Sequence, residues 1–168
     1  MVTLYTIGHS TRTQADFLEL LLAHEIATLV DIRAFPASRR LPHFNRENLE
    51  AALRAEGINY VWMKALGGRR GKRREDSPNV ALRNPSFRNY ADYMLTSEFQ
   101  TAAHSRTAIM CAEAVFFRCH RMLVSDYFVL RGHPVLHIQD AGTARPHKVT
   151  EEARLIDEQV IYRGDRLL

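Results

Sequence analysis

The sequence has only two cysteines, a single tryptophan and no apolar stretch near the ~18 residues of a membrane span. Two cysteines in 168 residues cannot form the disulfide framework of a secreted mini-protein. Apolar stretches as short as Leu20, Leu21, Leu22 and Ala23 exclude a membrane protein. The first five residues carry neither the basic segment nor the long apolar segment of an export signal. A reducing cytoplasm is therefore the expected compartment. There is no internal repeat, low-complexity segment or interdomain linker, and the composition is not that of a coiled coil.

What is present has the balance of a soluble globular protein, with 46% apolar and 25% charged residues. The length suits one domain over residues 1–168, which can bury roughly 70% of its unfolded surface without staples. The net charge of +4 is local in origin. Five of the 23 basic residues lie in residues 69–74, and the other 18 fall one short of the 19 acidic ones. Such a run is either a solvated loop or a contact for a polyanion, namely nucleic acid or a phosphorylated small molecule.

Hydrophobic spacing predicts strands at residues 3–7, 27–32, 58–62, 107–110 and 134–138. Between them, Thr13 is placed to cap a helix carrying Phe17, Leu18, Leu21 and Leu22. Asn45 is placed to cap another, closed by Gly57. Further helical pieces are expected around residues 87–95, 97–103 and 120–130, with a helix start at residues 150–152 and a short strand at 159–162. Residues 64–85 form a long, charged, glycine- and proline-containing loop of the kind that is usually functional or mobile. Strands alternating with helices give an α/β fold class: a three-layer, Rossmann-like domain with a mainly parallel sheet of about five strands.

In an open parallel sheet, ligands bind beyond the carboxyl ends of the strands. The residues predicted there are rich in chemistry. His9 and Ser10 follow the first strand, and Asp31 and Arg33 close the second, with Ser38 and Arg39 after them. Gly67, Gly68, Arg69 and Arg70 lie beyond the third. The fourth leads to Cys111 and Glu113, then Cys119, His120 and Arg121. His9, Asp31, Cys111, Glu113, Cys119 and His120 are the candidate proton-handling or nucleophilic groups. Ser10, Arg33, Ser38, Arg39, Gly67, Gly68, Arg69, Arg70 and Arg121 are the candidate substrate contacts, since guanidinium forks match phosphate.

The two cysteines are open to several readings: a nucleophile, a redox pair, or small buried hydrophobes. No metal ligand set is expected, because zinc ligands usually stand two to four residues apart and these do not. A phosphate cradle of main-chain N–H groups is hard to build from the bulky Ala114, Val115, Phe116 and Phe117. The paired phenylalanines read as packing, or as a patch for self-assembly.

Six short motifs occur in order: residues 6–10 (Thr-Ile-Gly-His-Ser), Val30-Asp31-Ile32-Arg33 with Pro36, Ser38 and Arg39, Gly67-Gly68-Arg69, Cys111-Ala112-Glu113, Cys119-His120-Arg121, and His137-Ile138. Together, over nearly the whole chain to about Tyr162, they resemble domain-of-unknown-function family 488 of bacteria and archaea. The resemblance implies a compact α/β fold and carries no activity, substrate or cofactor with it.

From the residues themselves, the leading expectation is an enzyme acting on a phosphate-bearing substrate, a nucleotide or nucleic acid, at the carboxyl edge of the sheet. The competing expectation is a non-catalytic nucleic-acid-binding module that uses the basic loop 69–74.

Overall fold

The computed structural model describes residues 3–71, 75–97, 99 and 108–164. The chain runs through β1 (Leu4–Gly8), α1 (Gln14–Ala23), β2 (Thr28–Asp31), α2 (Arg46–Ala55) and β3 (Asn59–Trp62). It continues through α3 (Pro85–Met94), β4 (Ala108–Cys111), α4 (Arg121–Leu130), β5 (Val135–Asp140), β6 (Thr143–Pro146), β7 (Ala153–Ile156) and β8 (Gln159–Tyr162). Six strands make one sheet in the order β3-β2-β4-β1-β5-β6, and β7 and β8 form a separate hairpin. The first five strands are parallel and β6 returns antiparallel to β5. All five expected strands are present, in the three-layer α/β arrangement that the spacing predicts. Among the described residues, no helix is long and apolar enough to cross a membrane.

Alternation along the strands divides the core between two faces. Ile7, Leu29, Ala108 and Met110 pack with Phe17, Leu21, Leu49 and Leu53 of α1 and α2. Leu4, Val30 and Ile109 pack on the other face with Tyr90 and Met94 of α3, Leu123 and Val124 of α4, and Val160 and Tyr162 of β8. Caps fix where the helices begin. Thr13 accepts from Asp16 N at 3.1 Å, and the Asn84 side chain accepts from Ser86 and Phe87 N ahead of a proline-started α3.

One expected element is wrong. Residues 150–152 begin no helix but turn into the β7–β8 hairpin. The Thr150 main-chain N–H and hydroxyl are both taken by the buried Asp126 carboxylate, at 2.8 and 2.6 Å, so Thr150 caps nothing. Asp157 and Glu158, at φ +48° and +62°, form the two-residue turn that closes the hairpin. The expected piece at 97–103 falls mostly outside the described residues, as do residues 72–74 of the basic run.

Candidate functional site

β1 and β2 pass into helices on one face of the sheet, whereas β4 passes into α4 on the other. β4 lies between them, so the chain divides at its carboxyl end and leaves a crevice there. Cys111, the last residue of β4, sits at that point. Neighbouring strands hold its main chain: His9 N donates to Cys111 O at 3.0 Å, Ser10 N to Ala112 O at 2.9 Å, and Ile32 N to Met110 O at 3.0 Å.

The loop from Ala112 to His120 is clamped from both sides. Gly8 lies so close beneath it that a Cβ there would stand 1.9 Å from Glu113 O, which only glycine permits. Arg121, 2% exposed, sends its guanidinium back to the carbonyls of Glu113 and Ala114. The Phe116 ring lies flat on His137 at 3.6 Å. His137 in turn belongs to a buried chain of polar contacts. Its Nδ1 meets Thr6 Oγ1 at 2.6 Å and its Nε2 meets His147 Nδ1 at 2.9 Å, and His147 Nε2 meets Asp126 Oδ1 at 2.8 Å. Tyr162 OH also donates to Asp126, at 3.0 Å. The loop is thus fixed to the core at both ends and in the middle.

A cleft of about 620 Å³ opens above Cys111. Cys111, Cys119, His120 and Gly68 line it, with Arg33, Arg69, Arg118 and Glu113 supplying charge and Phe35 and Phe87 flat apolar surface. Arg69 and Arg118 are exposed. Arg69 also lies over the Phe35 ring at 5.5 Å. The Cys111 and Cys119 sulfurs and a ring nitrogen of His120 all lie within 4.8 Å of one another. Cys119 Sγ is 3.5 Å from His120 Nδ1 and accepts from Arg121 N at 3.5 Å. In space these three donors form a set suited to a soft cation such as zinc, a convergence their spacing along the chain does not reveal.

The electrostatics set the two thiols apart. A hydrogen bond from the Cys119 thiol holds Cys111 down to about 6, against burial and with help from the Glu113 N–H, the Arg121 guanidinium and the Ala112 N–H. Cys119 moves the other way, because it is the donor to Cys111 and because it is buried. The surroundings therefore favour the ionised form at Cys111 and the protonated form at Cys119. Burial, then Arg121, lowers His120 to about 4, so its imidazole is neutral.

The other expected site residues lie at the same sheet edge with different tasks. Asp31 is fully buried; its carboxylate accepts from Arg33 Nε and Nη2, the closest contact being 2.5 Å, and from Tyr60 OH at 2.7 Å. It is the counter-ion that holds Arg33 at the cleft wall. His9 Nδ1 meets Ser10 O at 2.9 Å, its ring stacks on Phe44 at 4.2 Å, and burial lowers it to about 4. Ser10 takes a left-handed turn at φ +49°. Ser38 Oγ accepts from Leu41 N at 3.1 Å, in the loop before α2, and Arg39 is exposed. Gly67 packs against Ala34 and Lys64. Arg70 donates to Ala65 O at 2.5 Å and lies over Tyr93 at 3.4 Å, which ties its guanidinium to the protein. None of these lines the cleft except Arg33.

Sequence reasoning passed over Arg118, Phe35, Ser86 and Phe87 as site residues. Arg118 had a visible signal, seven residues past Cys111. Ser86 and Phe87 open α3, and nothing in the chain before them announces that this helix start borders β4.

A family model described as "Domain of unknown function DUF488" matches residues 13–128. That span contains β2, β4, the loop after Cys111 and most of α4, and leaves the motifs at residues 6–10 and 137–138 outside. No curated protein and no solved structure matches the chain.

Proposed function

The chain belongs to the DUF488 family, and from the cleft we propose an enzyme whose Cys111 thiolate attacks a phosphate-bearing substrate, a nucleotide or a nucleic acid. The observation that carries this reading is the Cys111 sulfur at the end of β4, lining a cleft that also bears the exposed Arg69 and Arg118. Guanidinium groups bind the phosphate oxygens and neutralise charge as it builds on them. The Cys111 sulfur bonds to phosphorus as the ester P–O bond breaks, and water protonates the departing oxygen. Glu113, on the cleft wall, then takes a proton from water, whose oxygen displaces the sulfur and releases phosphate. Phe35 and Phe87 offer flat apolar walls for a base. A free thiolate requires a reducing compartment, so the reading includes the cytoplasm.

The test is turnover of aryl phosphates and nucleotides by the intact chain, with acid-stable trapping of phosphoprotein. Cys111→Ser should abolish turnover and trapping, and Glu113→Gln should slow release, with both variants still melting cooperatively. Absence of a phosphoenzyme across that panel overturns the reading.

The competing reading, a nucleic-acid module built on residues 69–74, has less support. Of that run, the described Arg70 already has its guanidinium engaged by Ala65 O and Tyr93, which leaves Arg69 facing outward. Neutral residues at 69–74 would abolish heparin retention if the module reading held.

A further inference from the structure

We propose that Cys111 and Cys119 form a reversible intramolecular disulfide when a hydroperoxide enters the cleft, with Cys119 as the resolving thiol. The inference shares the reactive Cys111 with the reading above and needs none of its phosphate chemistry.

Three features of the structure carry it. The sulfurs share one pocket, within 4.8 Å of each other, and both line the open cleft. They are also the chain's two cysteines, so neither has another partner within the molecule. Closing the bond requires the sulfurs to approach to about 2.05 Å. The loop between them is anchored at Glu113, Ala114 and Phe116, so the approach falls to rotation of the two cysteine side chains and to the exposed Phe117 and Arg118.

The chemistry balances with the hydroperoxide as oxidant. The Cys111 thiolate attacks the terminal oxygen, the O–O bond breaks, and an alkoxide leaves to be protonated by solvent, which produces Cys111 sulfenic acid. Cys119 then attacks the Cys111 sulfur. The S–S bond forms as the S–O bond breaks, and the departing hydroxide leaves as water. That hydroxide takes the proton released by the Cys119 thiol. Two electrons leave the sulfurs and reduce the peroxide to alcohol and water. The disulfide caps the nucleophile and protects it from irreversible sulfinic acid.

The experiment is intact-mass analysis of the reduced full chain at neutral pH, with a chelator present, before and after one equivalent of hydrogen peroxide. The expected result is a loss of about 2 Da, a peptide cross-linked through Cys111 and Cys119, and reversal by dithiothreitol. Cys119→Ser should instead gain about 16 Da at Cys111 and react there with dimedone. Should that variant not fold, dimedone competition in the native chain provides the same information, since ring closure must outrun trapping. Peroxide-treated native protein that gains about 32 Da at Cys111, becomes a disulfide-linked dimer, or does not react overturns the proposal.

Discussion

Arg121 reaches back along its own loop and donates to the main-chain carbonyl of Glu113, eight residues earlier. The guanidinium is 2% exposed, and its positive charge is among the groups that favour the Cys111 thiolate. One buried side chain thus shapes the loop and charges the sulfur. Arg121→Met keeps the bulk and removes both effects. Arg121 ranks behind the Cys119 thiol and the Glu113 N–H among the groups that lower Cys111, so the midpoint of Cys111 alkylation should rise, by less than on loss of Cys119. Cys119→Ala removes the largest contributor and should move the midpoint from about 6 toward the ordinary thiol value of 9.0. Rates of iodoacetamide labelling against pH measure both shifts. Unchanged midpoints would remove the electrostatic account of the site.

Gly68 and His120 allow a steric test. A Cβ on Gly68 would stand 2.4 Å from His120 Nδ1 and 2.8 Å from Cε1. The ring has little room to swing, because Tyr90 packs on it with centroids 4.9 Å apart. Gly68→Ala should therefore cost about 1–3 kcal/mol of stability, the usual range for forcing an extra carbon into packed surroundings. It should also break the Cys119–His120 contact. Urea denaturation gives the first quantity, and a shifted His120 NMR resonance gives the second.

Much of this arrangement is legible in the sequence because it follows from period and polarity. The β-branched and aromatic content of residues 3–7 marks a strand and the apolar run to Ile32 a strand buried on both faces, and the strand-end rule then selects Cys111 and Arg33. Linear reading fails where a side chain's partner is remote. Asp31 and Arg33 are near neighbours in the chain, but the third partner of that carboxylate, Tyr60, comes from 29 residues away. Thr150 reads as a helix cap, but Asp126 claims it from 24 residues away. Arg70 and Arg121 read as phosphate contacts like Arg69, yet backbone carbonyls hold both guanidinium groups. The convergence of Cys111, Cys119 and His120 needs the turn after residue 115, which brings nearby positions together at distances that spacing rules do not describe.

Asp31 and Arg33 form a buried ion pair, 0% and 5% exposed. Such a pair is costly to break from one side, because the remaining charge stays desolvated. Asp31→Asn should lower stability by about 3–5 kcal/mol. It should also loosen Arg33 at the cleft wall. Calorimetry on the variant checks the first effect. A melting temperature within a degree of wild type would mean that Arg33 finds another partner and that Asp31 does not anchor the wall.

Acid should act on this fold through its imidazoles. Burial lowers His9 and His120 to about 4 and His137 to about 3, below the 6.5 of an unfolded histidine. Above pH 6.5 both states are neutral at these positions, and stability does not depend on pH through them. Below 6.5 the unfolded chain binds protons that the folded chain refuses, so stability falls until the folded values are reached. Each imidazole contributes a slope of roughly 1.4 kcal/mol per pH unit inside its window, and the three windows overlap between pH 6.5 and about 4. Cys111 adds an earlier phase of the same sign. Its folded value near 6 lies below 9.0, so acidification from pH 9 to 6 protonates the unfolded thiolate first and already weakens the fold. The melting temperature of the native chain should therefore decline from pH 9 downward, whereas that of Cys111→Ser should hold level to pH 6.5 and decline below it. Parallel curves for the two proteins above pH 6.5 would show that the thiolate is not stabilised by folding, and the case for Cys111 as the nucleophile would lose its physical basis.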